Sequence, residues 1–257
     1  MSKTVLITGS TSGIGLSAAK AFAEKGYNII FNGLEENGAA IAAAIAAEYG
    51  VQYLFSPANL LRPGEIRDMV AQALQKFGSI EVAVNNAGIQ YVSPIEGFPE
   101  EEWDAIIGII LTGAFHVTKA IWPTMKKNKF GRIINISSVH GLVASPFKSA
   151  YVAAKHGLIG LTKTLALEGA DFGITVNAIC PGYVLTALVE KQIPEQMKAH
   201  NLNRDEVIRN IMLAGHAIKE FIDVETVAQT IIFLGDSPAA SAITGVALPI
   251  DGGWSAH

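Results

Sequence analysis

The sequence has one cysteine, no long uninterrupted hydrophobic run and no excess of basic residues. A single cysteine, Cys180, excludes an intrachain disulfide and any metal or iron–sulfur site built from several cysteines, and it is typical of a reducing compartment. We therefore expect a cytoplasmic protein. The chain enters an apolar run at residues 4–7, so we expect no signal peptide. No stretch of about 18 uninterrupted apolar residues indicates a membrane span.

The sequence also has no large excess of charge of either sign. Lys and Arg number 19 and Asp and Glu number 23, which gives a formal net charge of −4 at pH 7. This balance provides no broad basic surface, so we expect neither a nucleic-acid nor a membrane partner. The 257 residues, of which 50% are hydrophobic, are enough for one globular domain with a sizeable core. We expect a single domain over residues 1–257.

Short apolar runs alternate with longer segments of helical period, which is typical of parallel strands joined by crossover helices. Because the predicted strands are apolar on both faces, we expect helices on both sides. The fold class is therefore predicted as α/β, a single-domain doubly wound (Rossmann) parallel seven-stranded sheet with its ligand site at the carboxyl ends of the strands. Residues 188–219 interrupt the alternation and predict a helical lid over the substrate. We predict strands at residues 4–8, 28–32, 51–55, 82–85, 132–137, 175–180 and 246–250, and helices at residues 13–25, 38–49, 63–77, 100–127, 150–171 and 224–234.

A glycine-rich turn follows the first predicted strand. Gly9, Gly13 and Gly15 are spaced G-x-x-x-G-x-G before a helix-compatible segment. Glycines let the backbone approach a pyrophosphate closely, and the free N–H groups of a helix start favour its negative charge. Glycines also serve ordinary strand–helix turns, so it is the position directly after the first strand that favours a dinucleotide site.

The end of the second predicted strand, at residues 32–35, is where such a fold meets the adenosine ribose. No Lys or Arg lies there or at residues 10–12 to pair with a 2′-phosphate, which favours NAD over NADP. Glu35 lies a few residues beyond the usual position of the acidic residue that binds the ribose 2′-hydroxyl. The predicted preference for NAD over NADP therefore depends on the absence of positive charge. Asn32 has an alternative interpretation as a strand-end turn residue.

Tyr151 and Lys155 are four residues apart at the start of a predicted helix, and therefore lie on one face. A phenol with an ordinary pKa near 10 is a poor base at neutral pH, but a nearby ammonium and a positive nicotinamide ring favour the phenolate. Tyr151 could then remove an alcohol proton as hydride leaves the same carbon. The alternative is a helix-start tyrosine with a solvent-exposed lysine. Ser138, at the end of the preceding strand, favours the catalytic interpretation because it could bind the same substrate oxygen.

Together with Asn85-Asn86-Ala87-Gly88 and Pro181-Gly182, these motifs resemble the classical short-chain dehydrogenase/reductase family over essentially the whole chain. The resemblance implies that Ser138 orients the substrate oxygen, that Tyr151 is the acid/base, and that Lys155 binds the ribose and lowers the tyrosine pKa. It also implies a homotetramer packed through the helices at residues 100–127 and 150–171. The implied NAD-binding residues are Gly9, Thr11, Ser12, Gly13, Ile14, Gly15, Asn32, Asn59, Leu60, Asn86, Ala87, Gly88, Tyr151, Lys155, Pro181, Gly182, Val184 and Thr186.

Two positions depart from the family pattern. Ile110 stands where the family usually has an asparagine that supports a water in the proton relay. We expect turnover to survive, because that water in the family also contacts backbone and Lys155. Asn59 stands where an aspartate commonly accepts from the adenine amino group; since an amide oxygen can also accept, we expect only modest weakening.

A small hydroxy acid as substrate requires a cation and hydrogen-bond donors facing its carboxylate, because a buried unpaired charge is costly. The candidates near the motifs are Gln90, His140, Lys148 and Gln192, although each alone could be a solvated surface residue. The segments around them resemble the bacterial D-3-hydroxybutyrate dehydrogenase subfamily. That likeness implies reversible oxidation of (R)-3-hydroxybutyrate to acetoacetate with NAD, with these four residues on the carboxylate and Trp254 near the methyl group. Tyr183 replaces the usual tryptophan of the subfamily, so we expect a reshaped apolar wall.

Two other functions compete with this one. One is another enzyme of the same fold, either a 3-oxoacyl-carrier-protein reductase or another short-chain alcohol dehydrogenase. The carrier-protein reductase would ordinarily require NADPH, and hence basic residues at 10–12 or 32–34, as well as a basic surface for an acidic carrier; neither feature is seen. A non-catalytic NAD-binding sensor is conceivable because of Ile110. The intact Ser138, Tyr151 and Lys155 argue against it, because binding alone requires no tyrosinate. We expect no metal.

Overall fold

Parallel strands form one sheet in this computed structural model, which describes residues 2–256 apart from the side chains of residues 188, 192, 195 and 199. Within that range the sheet has seven strands in the order β3-β2-β1-β4-β5-β6-β7, and each neighbouring pair is parallel. The strands are β1 (Thr4–Ile7), β2 (Asn28–Asn32), β3 (Tyr53–Ser56), β4 (Val82–Asn85), β5 (Gly131–Ile136), β6 (Ile174–Pro181) and β7 (Ala247–Ile250).

Helices cover both faces of the sheet. They are α1 (Gly13–Glu24), α2 (Gly38–Tyr49), α3 (Pro63–Phe77), α4 (Glu100–Ile107), α5 (Gly113–Asn128), α6 (Ser149–Gly169), α7 (Ala187–His200), α8 (Arg204–Val207) and α9 (Val224–Asp236). A π-helical turn, Gly108–Thr112, joins α4 to α5, and a second one, Ile208–Met212, follows α8. The predicted doubly wound α/β fold is confirmed.

The alternation of side chains along each strand divides the core into two layers. In β1, Val5 and Ile7 pack into one apolar cluster, whereas Leu6 packs into another on the opposite face. In β2, Phe31 and Ile30 divide in the same way. Both faces of the central strands are therefore buried, as the apolar runs predict. Burial on both faces was the wrong expectation for β3 and β7, which are largely only partly buried because they lie at the two edges of the sheet.

The segment at residues 188–219 is helical over 188–200 and 204–212, with turns or irregular backbone in between and after. It contains α7, α8 and the second π-helical turn, and Ile193, Val207 and Met212 form a small apolar core of its own. This core also packs against Tyr183, which follows β6. The expected role of the segment as a lid over the substrate stays a prediction.

One helical stretch in residues 2–256, Glu100–Asn128, is long and apolar enough to cross a membrane by length and composition. A core helix of a sheet protein meets the same criteria. Its side chains Ile106, Ile110, Val117 and Ile121 are buried within the apolar clusters of this fold. The apolar character of the stretch is thus used in packing against the sheet and α6.

Candidate active site

Two adjoining cavities lie at the carboxyl ends of the strands. The first has a volume of about 770 Å³ and the second about 520 Å³. Residues from the first helix and from the ends of β4 and β6 line both of them, namely Ile14, Asn86, Gly88, Ile89 and Thr186. The cavities are therefore continuous, and a long ligand can occupy the first while its end reaches into the second.

The glycine loop after β1 forms the floor of the first cavity. Gly9 and Gly13 have φ angles of 60° and 51°, a region that glycine adopts without strain. A Cβ on Gly15 would collide with the carbonyl oxygen of Gly9, so the loop and α1 can approach each other only through glycine. Ser12 does not cap α1 with its side chain, and the first turn has no acidic residue. The N–H groups of this helix start remain available to a phosphate, so the loop fits a dinucleotide.

Asn86 fixes the glycine loop against β4. Its Nδ2 atom donates to the carbonyl oxygens of Thr8 at 3.0 Å and Gly9 at 2.9 Å. The Thr8 hydroxyl in turn accepts from the backbone N–H groups of Asn86 at 2.9 Å and Ala87 at 3.1 Å. These reciprocal bonds explain why the Asn86–Gly88 stretch lines the cavity, as predicted from the motif.

The far end of the first cavity carries a carboxylate that the sequence position of Glu35 did not indicate. Glu35 lines this cavity and accepts a hydrogen bond from the Thr11 hydroxyl. The chain can turn there because Gly33 passes close to Thr11, where a Cβ would lie 2.5 Å from Oγ1. Glu35 therefore lines the cavity although its place in the sequence is late for the usual acidic partner of the ribose, and its contact with the ribose stays a prediction. An oriented carboxylate at this wall disfavours a 2′-phosphate.

Two of the predicted cofactor residues do not line the cavities, and two others that line the first cavity form hydrogen bonds with the protein backbone. Thr11 is buried and orients Glu35, and Gly15 is buried in α1; neither lines either cavity. Asn32 lines the first cavity, but its Nδ2 donates to carbonyl oxygens after β3, so it joins the ends of two strands. Asn59 also lines it, with its Oδ1 accepting from the N–H of Leu61 at 2.9 Å.

Apart from Thr11 and Gly15, the predicted cofactor residues line the cavities. The first cavity is lined by Gly9, Ser12, Gly13, Ile14, Asn32, Asn59, Leu60, Asn86, Ala87, Gly88 and Thr186. The second is lined by Tyr151, Lys155, Pro181, Gly182 and Val184 as well. Sequence reasoning missed Lys191, an exposed cation on α7 that also lines the first cavity. No motif indicated it, because it reaches the cavity from the inserted segment.

Two hydrogen bonds place the start of α6 against the end of β5. Lys155 Nζ donates to the carbonyl oxygen of Ile136 at 2.7 Å, and Ser137 Oγ donates to that of Lys155 at 3.0 Å. This contact brings Tyr151 beside Ser138 in the second cavity. Lys155 Nζ lies 5.4 Å from the centre of the tyrosine ring. The predicted Ser–Tyr–Lys grouping is thus assembled.

The protein alone does not lower the tyrosine pKa as expected. Burial raises the pKa of Tyr151, and the hydrogen bond with Ser138 opposes this change. Burial also lowers the pKa of Lys155 to about 8, because the ammonium is desolvated. In the protein alone, burial thus outweighs the effects that favour the phenolate, and a further positive charge in the cavity would favour it.

Polar candidates for the substrate carboxylate lie in the second cavity. Gln90, His140 and Lys148 line it together with Ser138 and Tyr151. Desolvation, and then the charge of Lys148, lowers the pKa of His140 to about 4, so the imidazole is neutral at pH 7. Desolvation also lowers the pKa of Lys148. Among the residues described, no carboxylate lines this cavity and Lys148 has no ion pair.

The apolar side of this cavity is made of two stacked rings. Tyr183 and Trp254 lie 6.1 Å apart with an interplanar angle of 14°, and both line the cavity. Trp254 also lies 5.4 Å from the ring of His140. The side chain of Gln192, the fourth predicted carboxylate ligand, lies outside the described part of the chain, so its role stays a prediction.

Ile110 occupies the π-helical turn between α4 and α5. It is 3% exposed and packs in one cluster with Tyr151 and Ala154. A Cβ on Gly88 would lie 3.4 Å from its side chain, so Ile110 fills the space behind the loop after β4. An apolar side chain therefore borders Tyr151 at a position where the resemblance to the family implies a side chain that forms hydrogen bonds.

The fold and site together define a dinucleotide-dependent oxidoreductase, with a glycine loop that fits a phosphate beside a cavity that contains Ser138, Tyr151 and Lys155. A family model described as short chain dehydrogenase matches residues 3–197. The chain belongs to the short-chain dehydrogenase family. Among the side chains that the structure describes, no group of three or more His, Cys, Asp or Glu is placed to hold a metal ion.

Relatives of known name cover the whole length of the chain. A D-beta-hydroxybutyrate dehydrogenase of Rhizobium meliloti is 51% identical over 100% of both chains. One of Cupriavidus necator is 48% identical, over 99% of this chain and 98% of that one. Among solved structures, an actinorhodin polyketide ketoreductase variant with NADPH is similar with a TM-score of 0.92 and 32% identity, covering 100% and 98% of the two chains.

Proposed function

We propose that this protein catalyses the reversible oxidation of (R)-3-hydroxybutyrate to acetoacetate with NAD. The observation that carries the proposal is Lys148, a partly buried cation on the same helix start as Tyr151, in a cavity where no carboxylate is among the described lining residues. An anionic substrate would supply the missing counter-charge, because an unpaired charge in such a site is costly. The names of the two similar dehydrogenases support a short hydroxy acid as that anion.

In this proposal, different residues of the chain have different roles in the reaction. Lys148 with His140 and Gln90 would bind the carboxylate, and the Tyr183–Trp254 stack would contact the methyl end. Ser138 would hold the hydroxyl oxygen while Tyr151 removes its proton. When bound, the oxidised nicotinamide supplies the hydride acceptor and a positive charge near the phenol. Lys155, held by Ile136, would bind the ribose and keep the tyrosine in place.

We propose NAD rather than NADP on the basis of charge at the first cavity. Its adenosine end is formed by residues 32–35 and 58–60, which include Glu35 and no Lys or Arg. A 2′-phosphate there would face a carboxylate already oriented by Thr11. One cation, Lys191 in α7, does line the cavity. Thr186, just before α7, lies against Gly13, so this helix begins at the glycine loop and not at the adenosine end.

The test is a substrate screen of wild type, Lys148→Ala and Lys148→Arg by NADH formation. Wild type should oxidise (R)-3-hydroxybutyrate with NAD and discriminate against its enantiomer and against neutral alcohols of equal length. Lys148→Ala should raise the KM for the acid by about a hundredfold, as expected for a charged hydrogen bond, and should leave the Kd for NAD unchanged. Lys148→Arg keeps the charge as the matched control. Equal activity on 2-butanol and the acid, or an unchanged KM in Lys148→Ala, would reject the hydroxy acid.

We also propose a homotetramer in the cytoplasm, packed through α4–α5 and α6. Exposed apolar side chains on these helices support it, notably Phe115 at 41% and Leu167 at 82% exposure. The single buried thiol of Cys180 is consistent with a reducing compartment. Light scattering on a size-exclusion column should give four times the chain mass, and a monomer would contradict the assembly.

A further inference from the structure

His216 is a buried side chain that the reaction described above does not use. It is 1% exposed and lies in the turn before Lys219. Its Nε2 atom accepts a hydrogen bond from the backbone N–H of Tyr183 at 3.1 Å. Its ring lies 6.3 Å from the ring of Tyr183 and 5.7 Å from that of Trp254. One imidazole therefore contacts both halves of the apolar wall without lining the cavity itself.

Glycines in three chain segments make this contact possible. A Cβ on Gly182, after β6, would lie 2.6 Å from His216 Nε2, and a Cβ on Gly252, after β7, would lie 2.6 Å from Nδ1. A Cβ on Gly215 would overlap the indole of Trp254. Close packing of this kind leaves little space for the ring to adopt another position. His216 is thus the point where the β6–α7 loop, the inserted segment and the C-terminal segment meet.

We propose that His216 is a positioning residue for substrate binding: as a neutral imidazole it accepts the Tyr183 N–H and holds the tyrosine ring against Trp254. The inference deepens the proposed function, because that stack is the wall assigned to the methyl end of the hydroxy acid. His216 acts through these two residues and does not touch the substrate. Its loss should therefore raise the KM for the acid much more than it changes kcat.

The hydrogen bond exists only while Nε2 carries no proton. Three ionisable groups face the imidazole: Asp251 from the C-terminal segment, Lys219 from its own turn and Tyr183 from the β6–α7 loop. Asp251 and the carbonyl oxygens of Ile218 and Glu220 favour the protonated form, and Lys219 opposes it. Desolvation outweighs them and lowers the pKa of His216 below its ordinary value of 6.5. We therefore expect the bond at neutral pH and its loss in acid.

The first experiment compares wild type, His216→Gln and His216→Ala between about pH 7.5 and 5.5, a window above the pKa of His140 near 4. The KM of wild type for 3-hydroxybutyrate should rise as the pH falls toward the lowered pKa of His216, by up to about fivefold, since a hydrogen bond of this kind is worth a factor of about five. His216→Gln can accept the bond but cannot titrate, so its KM should stay flat. His216→Ala should show the raised KM throughout. Wild-type KM in His216→Ala, or an acid rise kept in His216→Gln, would overturn the proposal.

The second experiment needs no substrate. Trp254 fluorescence is measured after Trp103→Phe and Trp122→Phe, with His216 or Gln at position 216. The emission of Trp254 should shift between the two pH values with histidine and stay constant with glutamine; equal behaviour would refute the role of His216. If the enzyme fails to oxidise 3-hydroxybutyrate, the proposed function is wrong, yet the fluorescence still decides this inference. If His216→Ala does not fold, the glutamine variant carries both measurements.

Discussion

His140 Nε2 and Ser145 Oγ lie 2.7 Å apart in the loop between β5 and α6. The imidazole is neutral at pH 7 because burial and Lys148 lower its pKa to about 4. A neutral imidazole donates through one nitrogen and accepts through the other, so the partner of one nitrogen decides what the other offers. Ser145 thus determines how His140 faces the cavity, and no motif in the sequence indicated it.

Ser145→Ala should raise the KM for 3-hydroxybutyrate by about three- to tenfold, which corresponds to one neutral hydrogen bond. The value of kcat should change less, because the hydride and proton transfers do not use this contact. Ser145→Thr retains the hydroxyl and serves as the matched control. Steady-state kinetics at saturating NAD measures both constants, and an unaltered KM in the alanine variant would remove Ser145 from the site.

Tyr151→Phe should lower kcat by about a hundred- to ten-thousandfold, the usual contribution of a general acid–base. The ring stays in the second cavity, so the Kd for NAD, measured by calorimetry, should remain within about twofold. Burial raises the pKa of this phenol in the protein alone. Wild-type kcat should accordingly increase with pH. A phenylalanine variant with normal turnover would exclude tyrosine as the proton acceptor.

Glu35→Ala should reduce the preference for NAD over NADP by about tenfold, since one close like-charge repulsion would be removed. The ratio of kcat/KM values for the two cofactors is the measurement. Glu36→Ala removes the neighbouring exposed carboxylate, which does not line the cavity, and should leave the ratio unchanged. Equal effects of the two substitutions would mean that net charge, not the Thr11–Glu35 contact, determines selectivity.

Apolar periodicity was sufficient to predict the sheet and most helix limits. The bounds of four elements agree with the predicted residues, namely those of β2, β4, α2 and α3. At these elements the ends of the apolar pattern coincide with helix-breaking or turn-forming residues. Strand β3 begins two residues later than predicted. The π-helical turn Gly108–Thr112 was not predicted, since its apolar residues fit an ordinary helix equally well.

The site was predicted where each residue belongs to a local motif, and missed where contacts join distant segments. Tyr151 and Lys155 are one helical turn apart, so spacing alone places them together. Glu35 meets Thr11 across 24 residues and His216 meets Tyr183 across 33. Such pairs depend on how loops after different strands converge. Hydrophobic pattern carries no information about that convergence.

Ile110→Asn tests whether the apolar contact behind Tyr151 limits proton transfer. We expect kcat to rise, because an amide could support a water between the tyrosine and Lys155. We also expect a lower Tm, since a polar group would replace a buried methyl surface at a cost of about 1–3 kcal/mol. Ile110→Val keeps the site apolar and is the control. Loss of activity or unchanged kcat in a folded asparagine variant would leave the relay explanation without support.

Acid should destabilise the protein partly through His140. Its pKa is about 4 in the folded chain and 6.5 as the ordinary value, so between these pH values the unfolded state binds more protons. Stability from this group is complete above pH 6.5 and falls as the pH decreases toward 4. From pH 7 to pH 5 wild type should lose about 2 kcal/mol more than His140→Gln, which cannot titrate. Urea unfolding at fixed protein concentration measures the difference, with exposed His200→Gln as the control. Equal losses of unfolding free energy in wild type and His140→Gln would show that the imidazole of His140 is not buried in its neutral form.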